Sequence, residues 1–278
     1  MRDSKLDLFF TFIKGDHRIS RKYAESKKGL PIKGLDLPLF RYVLSLQERI
    51  QRLHIIYSKI VKSHKETLEE TQQVELKGYG SRIKSTELNI YYEVFFNEIY
   101  SILENVSRIN LFMFENPSNI SPKFSKQIKK IESGDLSFSS EYDRIILEEM
   151  EWFNDVSRIR DNANHFLTGL VVFDRTDDGK PIPKYLNYNI SERKKHESDD
   201  SKIEMNISNN IAIFFKTIIK ILDEIAGIYI KKMDKDVPCH ISYFKDGEVE
   251  IRSITYNDYV AGKDGEYVTT LINPKKEK

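Results

Sequence analysis

Residues 158–166 read RIRDNANHF, and two of them, Arg160 and His165, are the residue types that break a phosphodiester without help from a metal. RNA carries its own nucleophile, the 2′-hydroxyl beside the scissile phosphate, so a catalyst needs only a proton carrier and a cation on the phosphate. A neutral imidazole takes the 2′ proton, or, once protonated, gives one to the leaving 5′ oxygen. A guanidinium grips the phosphate through paired N–H bonds and offsets the charge of the pentavalent phosphorane. Asp161 precedes His165 by four residues, the helical spacing at which a carboxylate orients the ring. Asn164 adds a second orienting group, and Arg158, seven residues before His165, shares its helix face as an auxiliary cation.

The same Arg-x4-His spacing occurs once more, in the string Arg49-Ile50-Gln51-Arg52-Leu53-His54. There an apolar residue of a core stripe follows the arginine, so Arg49 and His54 read as surface residues beside a packed face. The second string differs because Asp161, Asn162 and Asn164 put hydrogen-bonding groups around both the cation and the imidazole. These are mediocre helix formers in a helical stretch, a local conflict that marks functional sites. Residues five apart on an ideal helix diverge by about 140°, so Arg160 and His165 do not share a face. Either the helix is distorted or restarted near Asn154-Asp155-Val156-Ser157, or a second chain completes the site.

Other chemistries find no motif. The chain has no glycine-rich phosphate loop, HExxH, CxxC or Gly-x-Ser-x-Gly elbow, and its six histidines are not at metal-ligand spacing. No metal and no cofactor is expected. Forty-four basic residues against 43 acidic ones leave a formal charge of +1, so no whole-molecule field draws a polyanion. Within residues 1–34 nine basic residues face four acidic ones, which reads as a solvated, basic N-terminal arm. A lone cysteine, Cys239, fits a reducing compartment. The most apolar window, Ile211 to Ile230, is interrupted by Lys216, Lys220, Asp223 and Glu224, so no membrane span is expected. The start makes a poor signal peptide, and a cytoplasmic location follows.

The elements that must position the string are mostly helices. Apolar residues from Leu39 to Ile60, at steps of four and three, predict a long helix starting at Pro38 and carried toward Gln73. A second runs from about Ser85 to the ENPSN string, and a short piece covers about Lys123 to Ile131. A third long helix starts after Ser139-Ser140 and contains the RIRDNANHF string; the last spans about Ser208 to Lys232. Between them, two apolar runs around Asp178-Gly179 predict a β-hairpin at about 170–190, kept away from the middle of a sheet by Pro181 and Pro183. SERKKHESDDSK reads as a loop. A small β element follows, with Asp246-Gly247 at its turn and EYVTTLI as a third strand. The fold class is therefore all-α: an antiparallel helical bundle with an inserted hairpin and a small C-terminal β element.

An arginine, a polar residue and a histidine four to six positions on, late in a compact bundle and before its last long helix, resemble the HEPN superfamily. The matching residues are Arg160, Asp161 and His165, and the resemblance covers about 35–234. The basic arm, 1–34, and the β-rich extension, 235–278, lie outside it. Two departures are Asp161, where asparagine is more familiar, and the hairpin before the final helix. The resemblance implies a metal-independent endoribonuclease with Arg160 and His165 catalytic, working as a homodimer whose two motifs meet in one cleft. It also implies a toxin or phage-defence role, with RNA as substrate and an antitoxin or regulatory protein as partner. Two other readings stay open: a catalytically inactive HEPN-like module that binds nucleotide or protein, and a bundle with no site.

Overall fold

The structure, a computed structural model, describes residues 4–19, 37–78, 82–114, 120–165, 169–175, 177–179, 181–188, 202–233, 239–245 and 248–271. In chain order these form α1 (Lys5–Ile19), α2 (Leu37–Lys77), α3 (Ile83–Met113), α4 (Phe124–Glu132), α5 (Ser140–Glu148) and α6 (Met150–His165). Strands β1 (Leu170–Arg175), β2 (Pro181–Tyr188) and β3 (Lys202–Asn206) lead into α7 (Ile207–Lys232). The chain continues with β4 (Cys239–Lys245), β5 (Glu248–Ile254), α8 (Tyr256–Val260) and β6 (Glu266–Leu271). The molecule is mainly α-helical, with small antiparallel sheets, as the apolar periodicity predicts.

Helices α2 and α3 bury the stripes that define them, Leu39 through Ile60 on one and Leu88 through Ile109 on the other. Their antiparallel register follows from Lys84–Glu66 at 3.0 Å, Arg49–Glu98 at 3.1 Å and Asn105 Nδ2 donating to Ser45 Oγ at 3.0 Å. Gly78, at φ 75°, takes the left-handed position that ends α2. Helix α7 lies alongside in the direction of α3, with Phe214 edge-on to Phe96 and Tyr229 Oη donating to Asn110 Oδ1 at 2.5 Å. Asn110 Nδ2 in turn donates to Tyr142 Oη at 2.7 Å and Gln127 Oε1 at 2.9 Å, so one buried polar cluster ties α3, α4, α5 and α7 together. Such a network specifies a unique arrangement because each unpaired member would stay desolvated.

Four sequence expectations need correction. Residues 5–19 of the supposed solvated arm form α1, which buries Leu6, Phe9, Phe10, Phe12 and Ile13. Ser4 Oγ accepts from Asp7 N at 3.1 Å, a cap, and Leu6 N donates to Asp223 of α7 at 3.0 Å. Counting charge hid an amphipathic pattern. Residues 20–36 lie outside the described residues.

Second, the single helix expected after Ser140 is two, α5 and α6, separated at Glu149 (φ −104°, ψ 16°). Nothing in Leu147-Glu148-Glu149-Met150 breaks a helix locally; Lys220 of α7 holds Glu149 at 3.0 Å across the break. From Met150 to His165 the helix is unbroken, so no restart occurs at 154–157.

Third, β2 is the middle strand of its sheet, not an edge. Both prolines fit because β3 pairs only from Lys184 onward, and Pro181 and Pro183 sit where β2 has β1 as its one neighbour. The hairpin is also more than decoration: Tyr185 is fully buried and stacks on Tyr92 at 5.0 Å. A side chain at Gly169 would overlap the Tyr185 ring, which is why the residue entering β1 is glycine. The last correction concerns the first Arg-x4-His string and is set out with the site. In the C-terminal sheet, ordered β4-β5-β6 as expected, Ile254 closes over Phe12 of α1. The Asp246-Gly247 turn and most of SERKKHESDDSK lie outside the described residues.

Candidate active site

The site is built where α3 and α6 run antiparallel, and three contacts set their register. The Arg160 guanidinium carbon lies 4.5 Å from the centroid of the Tyr100 ring. Asn164 Nδ2 donates to Asn97 Oδ1 at 2.8 Å while Asn97 Nδ2 donates back at 3.2 Å. Just past α6, the backbone of Gly169 hydrogen-bonds to the Glu93 carboxylate. Phe153, Val156, Ile159 and Asn162 face the core, which leaves Arg160, Asp161 and Asn164 on the outer side. Asn162, 5% exposed, is therefore not part of the polar surround that the sequence reading assigned to it.

Arg160 is fixed two ways and partly shielded. Its Nη1 donates to Asp161 Oδ1 at 2.7 Å, its plane rests by Tyr100, and its side chain is 28% exposed. A cation over a tyrosine face gains about 0.5–1 kcal/mol where partly exposed. Burial, and then the Glu104 carboxylate, push the Tyr100 hydroxyl above the ordinary phenol value, against the opposing pull of its Ser125 hydrogen bond and the Arg160 charge. Tyr100 thus stays neutral. Arg158 pairs with Asp155, and its buried Nε has no hydrogen-bond partner among the described residues.

Asp161, expected to orient His165, engages Arg160 through Oδ1. His165 closes α6; its side chain lies outside the described residues. Because α6 is continuous, positions 160 and 165 remain about 140° apart around its axis. The structure brings Arg160, Asp161 and Asn164 to one surface with α3.

Arg160 and Asp161, together with Arg158, line a groove of about 580 Å³ between α3, α4 and α6, with Tyr100, Ser125, Lys129 and Glu132 beside them. A second groove of similar size, about 590 Å³, lies between α2, α3 and β1. Its carboxylate, Glu70, accepts from Lys84 N and Ser85 N at the start of α3 and is thereby occupied. No group of three or more His, Cys, Asp or Glu side chains able to hold a metal ion lies among the described residues. No helix among them is long and apolar enough to cross a membrane.

Sequence reasoning missed the contribution of α3. Asn89, Glu93, Asn97 and Tyr100 recur at steps of four, four and three, a polar stripe on a helix otherwise rich in buried apolar residues. Asn89 Nδ2 donates to Glu93 Oε1 at 3.3 Å, and burial raises the Glu93 carboxyl above the ordinary range despite that bond and the Gly169 one. The stripe was legible as spacing, but its partner helix was not.

The first string resolves differently. Arg49 is no bare surface residue: it holds Glu98, which is 4% exposed, with Arg52 at 3.6 Å as a second partner. His54 meets the edge of Phe215 at 4.7 Å. Compared with known proteins, the chain matches no protein-family model, no curated protein and no solved structure.

Proposed function

We propose that the chain is a metal-independent endoribonuclease of HEPN type, with Arg160 on the scissile phosphate and His165 moving the protons. The observation that carries this reading is the hold on Arg160. Tyr100 and Asp161 fix a guanidinium at the rim of a groove, five residues before the histidine that ends the same helix. A pre-oriented cation of this kind stabilises charge that develops on a phosphorane without first reorganising. The 2′-oxygen attacks phosphorus as an imidazole takes its proton; the P–O5′ bond breaks, and the 5′-oxygen leaves with a proton. The products are a 2′,3′-cyclic phosphate and a 5′-hydroxyl.

The unbroken course of α6 argues for a homodimer, since one helix does not turn positions 160 and 165 to the same side. Across a two-fold axis, Arg160 of one copy meets His165 of the other. A toxin or phage-defence role, with an inhibitory protein as partner, is the setting we assign to such an activity in the cytoplasm. The test is a mixed RNA pool incubated with wild type and His165→Ala in excess chelator. Wild type is expected to give cyclic-phosphate ends and the variant none. Activity that disappears in chelator and returns with magnesium contradicts the assignment.

One observation favours a second reading, a catalytically inactive module that binds nucleotide or protein: Arg160 is already bonded to Asp161 at 2.7 Å. Saturable nucleotide binding without RNA turnover would select it.

A further inference from the structure

We propose that the outer face of α4 is the track along which single-stranded RNA reaches the Arg160 groove; the proposal rests on the ribonuclease reading. Helix α4 buries Phe124, Gln127, Ile128 and Ile131 and turns Lys123, Lys126, Lys129 and Lys130 to solvent. Lys123 stands at its start, and positions 126 and 130 are one turn apart on one side. Lys129 also lines the groove that contains Arg160 and Tyr100, so the row of cations ends at the site.

Two features mark this face, lysines without carboxylate partners and their density. Several lysines elsewhere hold carboxylates: Lys84, Lys220, Lys231 and Lys263 each lie within 3.0 Å of one, whereas Lys59 and Lys65 of α2 have none among the described residues. Lys123, Lys126 and Lys129 have no carboxylate partner among the described residues. The whole chain carries a net charge of only +1, so Lys123, Lys126 and Lys129, on a segment whose one carboxylate is Glu132, are a local concentration of charge. A polyanion is the matching ligand, bound through its phosphates with release of counterions. A lipid surface is a poorer match, because the apolar residues of α4 all face the core and none accompanies the lysines outward. Beside the row, the Tyr100 ring and the Arg160 plane give the groove the flat surfaces that unpaired bases stack on.

The experiment measures binding of a fluorescent 2′-O-methyl oligoribonucleotide, which lacks the nucleophile and stays intact, across a sodium chloride series. Wild type is compared with Lys126→Gln/Lys129→Gln and with Lys59→Gln/Lys65→Gln, exposed lysines of α2. For the α4 variant, Kd is expected to rise about tenfold and the slope of log affinity against log salt to fall in magnitude by about 1.4, two phosphate contacts' worth. The α2 variant is expected to bind as wild type does. Unchanged affinity and slope in the α4 variant overturn the track, as does an equal loss in both variants. Binding of wild type to phosphatidylserine vesicles but not to the oligonucleotide also overturns it. Cleavage of ordinary RNA is assayed on the same samples. Lysine-dependent binding without cleavage keeps the track and removes the nuclease; cleavage with lysine-independent binding does the reverse.

Discussion

Arg-x4-His occurs twice in this chain, and α3 receives both arginines. On one side of α3, Glu98 takes Arg49 at 3.1 Å and is itself 4% exposed. On another, two residues further along, Tyr100 supports Arg160 at the rim of a groove. Identical spacing thus serves two purposes, because the facing helix offers a carboxylate to one guanidinium and an aromatic ring to the other. The carboxylate turns its arginine into part of the fold. The ring leaves most of its arginine's hydrogen-bonding capacity to a ligand. Reading such a motif therefore requires knowing what lies opposite it.

The comparison breaks most sharply under paired substitution. Arg160→Ala is expected to lower the cleavage rate by about 10²–10³ while lowering stability by no more than about 1 kcal/mol, since its contacts are partly exposed. Arg49→Ala combined with Arg52→Ala is expected to leave the chemistry intact in whatever fraction folds but to lower stability by about 3–5 kcal/mol, the consequence of an uncompensated buried carboxylate. Urea unfolding and single-turnover cleavage on the same preparations read both. If the Arg49/Arg52 variant loses catalysis without losing stability, the roles assigned to the two strings are reversed.

A smaller effect sharpens the role of the ring. Tyr100→Ala is expected to reduce kcat/KM by roughly two- to fivefold, the equivalent of about 0.5–1 kcal/mol of cation–π support, and Tyr100→Phe by less. Equal losses in the two variants would shift the weight from the ring face to the hydroxyl and its Ser125 bond.

The smallest expected effect concerns pH. Burial lowers the imidazole of His64, on the α2 side, below its ordinary value. The unfolded chain then binds a proton that the folded chain refuses, so stability falls as pH drops below about 6.5 and levels off once the folded imidazole also protonates. His64→Gln is expected to flatten this acid limb while leaving the pH profile of cleavage unchanged. Thermal unfolding from pH 5 to pH 8 provides the check; an acid limb of the same slope in the variant assigns it to another group.

How much of this was legible in the sequence differs by element. The stripes Leu39–Ile60 and Leu88–Ile109 predict α2 and α3 within a few residues, because a 3.6-residue period over many turns has no competing reading. Asp178-Gly179 marks its hairpin for an equally local reason, with Gly179 at φ 78°. Where tertiary contact decides, the string is mute. Lys220 meets Glu149 across the α5–α6 break, and Asp223 takes the Leu6 amide of α1 from 217 residues away. At the site, Arg160, Asp161 and Asn164 were recognisable from residue type. Tyr100 and Asn97 were not, because an aromatic and an amide on a long helix gain meaning only from the antiparallel partner that brings Arg160 and Asn164 to them.

The central claim is that Arg160 and His165 act together from different copies of the chain. Mixing two inactive variants tests it most directly. Arg160→Ala and His165→Ala are each purified, combined under conditions that exchange subunits, and assayed on RNA against either variant alone. A mixed dimer contains one intact arginine and one intact histidine on opposite chains, so cleavage is expected to return on mixing. Persistent inactivity of the mixture, with exchange demonstrated by differently tagged subunits, would contradict it.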